Sequence, residues 1–198
     1  RPALKIDQVS TWGTSKLYYD PAELLEAWSI FVHQADQIKE TQGFDYDLVD
    51  ITRQVLANYS QVLHGKVVTA YEENNKADFE KFSKQFLELL DDEDSLLSSI
   101  DQLMLGKWIA DARARGTNEK EKDLFEFNAR TQITTWSFTD SDLHEYSHRE
   151  WSGLITDFYK PRWKIFFDHL AQKMNGQNPK EPNYYLFEEN WTKQTNKF

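Results

Sequence analysis

The 198-residue sequence contains no cysteine. Disulfides, thiolate metal sites and cysteine nucleophiles are therefore excluded, and the redox compartment leaves no mark. Glycine and proline are scarce, at seven and five residues, so few positions are suited to break a helix. Basic residues are the minority, 23 Lys+Arg against 33 Asp+Glu. A duplex nucleic-acid binder is not expected from such a balance, because it needs a basic face to displace counterions from phosphate. No apolar run approaches the roughly 20 residues that span a bilayer. Arg1-Pro2-Ala3-Leu4-Lys5 is not followed by the apolar stretch of a secretory signal, which reads as a mature or trimmed start.

Aromatic residues are abundant, at 15%, and most are assigned to a core because helical layers need large side chains between them. The first 19 residues lack helical periodicity and read as an irregular arm, with Trp12-Gly13 and Tyr18-Tyr19 packed against something. Asp20-Pro21-Ala22-Glu23 is a helix start: a capping aspartate, a proline suited to the first turn, and a glutamate at the capping-box position. Leu24, Trp28, Phe31, Ala35 and Ile38 then recur at three- or four-residue steps as one buried face, and Gly43 is read as its end.

A longer helix is predicted from about Asp45 to Asn74. Leu48, Val55 and Val62 form one stripe, and Val49, Leu56, Leu63 and Ala70 the next. A surface this wide is covered on more than one side. His64-Gly65 is a local weak point. After the Asn74-Asn75 turn, Phe82, Leu89, Leu96 and Leu103 repeat every seven residues, as do Phe79, Phe86 and Ile100. Asp91-Asp92-Glu93-Asp94 within this helix reads as a solvated face, since the glycine and distal glutamate of a calcium loop are missing. Further helices are predicted around Trp108, from Thr117 to Thr134, from Asp142 to Met174, and after Pro182. No alternating strand pattern of useful length occurs. The expected fold is all-α, a globular multi-helix array or bundle with an irregular N-terminal arm.

His144-Glu145-Tyr146-Ser147-His148 matches H-E-x-x-H, the helical zinc motif in which two histidines share a face and a glutamate activates water. Three features weigh against zinc hydrolysis. Asp142 reads as an N-cap with Glu145 as its capping-box partner, which puts His144 in a first turn. Glu145 is then occupied. The preceding Thr139-Asp140-Ser141-Asp142 is polar rather than packed. His169 and Asp168 are available as a third ligand, but nothing selects them. No metal and no cofactor are expected.

Glu145-Tyr146-Ser147-His148-Arg149-Glu150-Trp151-Ser152-Gly153-Leu154 runs on into Asp157-Phe158-Tyr159-Lys160-Pro161-Arg162-Trp163. This series resembles the C-terminal domain of glycoside hydrolase family 89, the α-N-acetylglucosaminidases: an acidic residue, Tyr, a Gly-Leu pair, then Tyr-x-Pro-Arg-Trp. Other stretches are similar in the same order. They are Arg1-Pro2-Ala3-Leu4, Phe44 to Gln54, Gly106-Lys107-Trp108-Ile109 with Ala112-Arg113, and Asn128-Ala129-Arg130 with Gln132 to Trp136. The resemblance covers residues 1 to about 170.

The resemblance implies a retaining exo-glycosidase that removes terminal α-linked N-acetylglucosamine with two glutamates. Both are expected in an upstream (β/α)8 barrel, so this chain alone is expected to be catalytically incomplete. Residues 1–198 are then one helical C-terminal domain that packs on the barrel and lends a wall to the sugar pocket. Trp136 and Tyr146 carry over as sugar-binding residues, with Leu143 near the acetyl methyl; the loop Ser137 to Asp142 is one residue longer than the family pattern. Tyr159, Pro161, Arg162 and Trp163 are expected to fix a helix junction, with Arg162 neutralising a carboxylate. Asn128, Arg130 and Gln132 are a potential polar network near Trp136. The alternative is a free-standing helical interaction or carbohydrate-binding protein. An exported or secreted address is expected rather than a cytoplasmic one. Asn58-Tyr59-Ser60 and Asn190-Trp191-Thr192 are glycosylation-type triplets.

Overall fold

A computed structural model describes residues 1–5, 16–38, 42–137 and 145–195. Seven α-helices follow one another among these residues, with no strand: α1 Pro21–Gln34, α2 Gln42–Glu72, α3 Lys76–Leu97, α4 Leu105–Arg113, α5 Glu119–Ile133, α6 Lys160–Met174 and α7 Tyr184–Thr192. The all-α expectation holds. Short polar side chains start most of them. Asp20, Asn75, Asn118 and Asn183 each accept a backbone N–H of the first turn, satisfying a donor the helix cannot.

The long α2 and α3 form a hairpin that turns at Asn74, whose φ of 53° suits asparagine. Val49, Leu63 and Ala70 of the predicted stripe are buried, with Val67, against Phe79, Phe86, Leu90 and Leu97 of α3. The first helix also packs on α2, so part of the wide apolar surface is covered by a second helix, whereas Val62 of the first predicted stripe is 52% exposed. Gly65 does not interrupt α2. The contact with α1 is shallower than its periodicity suggests. None of its residues is fully buried, and Ile38 is exposed. Trp28 ties it down by donating its indole N–H to Thr52 at 2.9 Å. The first helix ends at Gln34, and Gly43 sits inside the first turn of α2 rather than ending α1.

The third layer is α6, whose Phe166, Phe167 and Leu170 are buried. Trp163 stands 4.6 Å from Phe86 between ring centroids, and Phe167 stands 5.5 Å from it. Before α6 the chain makes a π-turn, Ile155–Tyr159, with Pro161 at the start of the α-helix proper. A proline there lacks the N–H for an ordinary turn, which accounts for the wider spacing. The junction role expected of the Tyr-x-Pro-Arg-Trp series is thus observed. α4 and α5 pair beside this core, and α7 closes it with Trp191 buried under the Arg130 guanidinium.

Four expectations need correction. Tyr18 is 85% exposed, whereas the Tyr19 hydroxyl donates to Asn58 at 2.8 Å; Trp12 and Gly13 lie outside the described residues. The helix predicted from Asp142 begins at Ile155. Residues 145–153 are not helical, because Ser152 exchanges backbone hydrogen bonds with Leu103 and Leu105 and Gly153 turns at φ 84°. The acidic run is not one solvated face: Glu93 is buried and Asp94 binds backbone N–H groups. Arg130 is wholly buried, while Asn128 and Gln132 are exposed, so these three do not form one network. Asn58 and Asn190 both fall within helices, α2 and α7.

Candidate functional site

The C-terminal end of α5 carries the first site residue. After Ile133 the buried Thr134 and Thr135 turn the chain, and the Trp136 N–H donates to the Thr131 carbonyl at 2.8 Å. This places Trp136 at φ 57°, in the left-handed region. For a bulky side chain that conformation is an outlier and costs on the order of 1–3 kcal/mol. The chain returns at Glu145, also left-handed at φ 55°, whose N–H donates to the Thr134 carbonyl at 3.0 Å. Two strained residues thus stand beside one backbone hydrogen bond, between Glu145 and Thr134.

The consequence is that Trp136 and Tyr146, ten positions apart, stand with ring centroids 5.2 Å apart at 44°. Tyr146 is 58% exposed and Trp136 partly so. Large aromatic rings held at a surface by strained backbone are not explained by core packing. A pair of this size can stack on the C–H face of a pyranose, with the phenol as a hydrogen-bonding group. Two of the three expected sugar-binding residues are therefore brought together. Leu143 lies outside the described residues, as do His144 and the proposed cap Asp142.

Glu145 is not a capping residue. Its carboxylate pairs with Arg162 of α6. Arg162, 3% exposed, also donates to the buried Glu188 of α7 at 2.7 Å, and Arg1 donates to the same carboxylate at 2.8 Å. The Arg162 guanidinium lies 4.4 Å from the Phe158 ring centroid. Burial alone would raise the Glu145 carboxyl, but the charge of Arg162 leads the effects that outweigh it, and the net shift is downward. Arg162 is held still more firmly protonated: burial opposes its charge, and Glu145 and Glu188 more than compensate. The carboxylate expected for Arg162 is thus a pair of them.

Next to this cluster is a cavity of about 230 Å³ lined by Glu93, Glu145, His148, Glu150, Tyr159 and Arg162 among others. Glu93 is 4% exposed, and its Oε1 has no hydrogen-bond partner among the described residues. Burial, with the Glu150 charge added, pushes its carboxyl up to about 8. Glu150 pairs with Arg53 of α2. Its carboxyl is raised by burial but lowered more by His148 and Arg53. A protonated carboxyl near two ionised ones has the outline of an acid and nucleophile pair. The geometry does not support that role: each ionised carboxylate is bound by an arginine, and Glu93 is only 4% exposed.

Nor does the local geometry support a helical zinc motif. Residues 145–148 form a turn rather than a helix, and the His148 Nδ1 is hydrogen-bonded to the Tyr159 hydroxyl at 3.0 Å. Among the described residues no group of three or more His, Asp or Glu side chains is placed to hold a metal ion. Glu93 and the Glu145–Arg162 pair escaped sequence reasoning. The signals present were a glutamate in a helical acidic run and an acidic residue directly before Tyr146.

The described residues form an all-α domain with an aromatic pair at its surface. Residues 1–198 match the family model for the alpha-N-acetylglucosaminidase (NAGLU) C-terminal domain, and the chain belongs to that family. It is 28% identical over 175 residues to human alpha-N-acetylglucosaminidase, which is 88% of this chain and 22% of the relative. It is 36% identical to a family 89 glycoside hydrolase from Clostridium perfringens seen in complex with PUGNAc, with a TM-score of 0.93 over 98% of this chain and 23% of that one. The same figures hold for that hydrolase with two glutamates changed to glutamine, in complex with its substrate GlcNAc-α-1,4-galactose. The chain therefore spans less than a quarter of the length of these relatives. No described helix is long and apolar enough to cross a membrane.

Proposed function

We propose that this chain is the C-terminal helical domain of an exported, exo-acting, retaining α-N-acetylglucosaminidase, in which it packs on an upstream catalytic barrel and supplies part of the sugar pocket. Trp136 and Tyr146 contact the terminal N-acetylglucosamine, with Leu143 near its acetyl group. The two catalytic glutamates lie outside residues 1–198. The observation that carries this reading is the Trp136–Tyr146 pair at the surface, next to left-handed backbone at Trp136 and Glu145. Support comes also from the Clostridium hydrolase, in which two glutamates were replaced and the substrate was retained, and from the arginine-bound state of this chain's own carboxylates.

Stacking of a ring on an aromatic face is a binding term present in both ground and transition states, so its loss raises KM and lowers kcat/KM. The test is Trp136→Ala in the full-length enzyme with an aryl α-N-acetylglucosaminide. A fall in kcat/KM of about tenfold or more with an unchanged melting temperature is expected. Unchanged kinetics would remove Trp136 from the pocket. Residues 1–198 alone should show no turnover of the same substrate; hydrolysis by the purified 198-residue chain would overturn the assignment of the carboxylates to the barrel.

A further inference from the structure

We infer that the Glu145–Arg162–Glu188 triad is a positioning device for Tyr146, so that Glu145 and Arg162 act on substrate recognition through a neighbour without touching the sugar. This rests on the proposed role of Tyr146 in the pocket. The Tyr146 ring is more than half exposed, so the core does not determine where it stands. The Trp136 ring and the backbone of the residue before it contribute to its placement.

That residue is fixed at two points. The Glu145 N–H is held by the Thr134 carbonyl, and its carboxylate is held by Arg162. Between these anchors the backbone is kept at φ 55°, which an unanchored glutamate would leave. Arg162 is a rigid post. It stands in the first turn of α6, is bound to Glu188 on α7, and lies over Phe158 of the π-turn. Its Nη1 donates to Glu145 and Glu188 alike, and a buried guanidinium bound to two carboxylates has little freedom to re-aim. The chain of contacts thus runs from two packed helices to Glu145 and then to Tyr146.

A purely stabilising role is a poorer account of Glu145. A buried ion pair recovers little of its desolvation cost, and its best attested benefit is a specified geometry. Glu145 also belongs to no helix, so no secondary structure depends on it. Side chains that hold a binding residue in place affect recognition out of proportion to their effect on stability.

The test is a double-mutant cycle in the full-length enzyme with an aryl α-N-acetylglucosaminide. Glu145→Ala should lower kcat/KM about tenfold or more in the parent, mostly through KM, and less than about twofold when Tyr146 is already alanine. Glu145→Gln, which keeps the shape and one acceptor, should recover part of the loss, and it also serves if the alanine variant does not fold. Arg162→Lys should reproduce the Glu145→Ala phenotype where it folds. Equal losses in both backgrounds, or no loss in the parent, would overturn the positioning role alone. If Tyr146→Ala and Trp136→Ala both leave kcat/KM unchanged, the pocket assignment fails, and the positioning role fails with it.

Discussion

Asp94 of α3 accepts the backbone N–H groups of Gly153 at 2.7 Å and Thr156 at 3.2 Å. It is thus a cap supplied by one helix to the start of another. The same carboxylate accepts from the Ser152 and Thr156 hydroxyls, each at 3.1 Å. The turn entering the π-segment exposes donors that no residue of its own satisfies. Asp94→Ala should therefore destabilise the chain by about 2–3 kcal/mol, the range for several hydrogen bonds to a charged group at a cap. Asp91, three residues earlier and bound among the described residues to the side chain of Lys160, should tolerate alanine with no measurable loss. Urea denaturation of both variants distinguishes the two roles, and equal midpoints would contradict the cap.

Glu93, one residue before that cap, makes stability depend on pH in a direction opposite to its neighbours. Its carboxyl is pushed up to about 8 in the folded chain. An unfolded glutamate releases its proton near 4.3. Its contribution is therefore complete below about 4.3 and is lost as pH rises through about 8, at no more than about 1.4 kcal/mol per pH unit. Glu145 and Glu150 are shifted downward. Their contribution is complete above about 4.3 and is lost as pH falls through their depressed values. Glu93→Gln should flatten the decline between pH 5 and 8 and raise the denaturation midpoint at pH 8. A variant that retains the parent's slope would show that Glu93 is not its source.

Much of the fold was legible because helix caps and apolar steps are local. Asp20-Pro21, the Asn74-Asn75 turn and the Val49-Leu56-Leu63-Ala70 stripe read directly. Residues 91–94 were misread because consecutive helical side chains point about 100° apart. Four in a row cannot share one face, so one enters the core and another reaches a neighbouring segment. The Asp142–Glu145 box was a correct local rule outcompeted by tertiary contacts: Arg162 takes the Glu145 carboxylate, and Leu103 and Leu105 take the Ser152 backbone. Trp136 and Tyr146 came from family resemblance. Their meeting depends on left-handed backbone at Trp136 and Glu145, for which neither residue type gives any signal.

The buried pair on α5 makes a further prediction. Glu126 and Arg130 are both wholly inaccessible and bonded at 2.7 Å, with the guanidinium 4.6 Å from the Trp191 ring centroid, and Glu126 also accepts from Arg113 at 2.8 Å, which keeps Asp123 as a second partner. Replacing one partner leaves the other charge buried without its closest counter-charge. Glu126→Leu should destabilise by about 3–5 kcal/mol, whereas changing both residues to apolar ones of similar volume should recover much of that loss. Thermal denaturation of the single and double variants tests this; additive losses would mean that the pair is not coupled.

The strain at Trp136 separates backbone from side chain. At φ 57° a Cβ carries a penalty that glycine escapes. Trp136→Ala and Trp136→Gly remove the same ring, but only the glycine variant relieves the backbone. The gain is partly offset because glycine is freer in the unfolded chain, which leaves a net advantage of about 1 kcal/mol or slightly less. For a chain of this length that corresponds to a melting temperature about 2–4 °C higher for glycine than for alanine. If the strain serves only to present the ring, kcat/KM in the full-length enzyme should be lowered equally in both variants. A glycine variant that binds sugar more weakly than alanine would show that the rigid backbone also holds the Tyr146 side of the pocket. A glycine variant that melts below alanine would mean the left-handed conformation carries no strain.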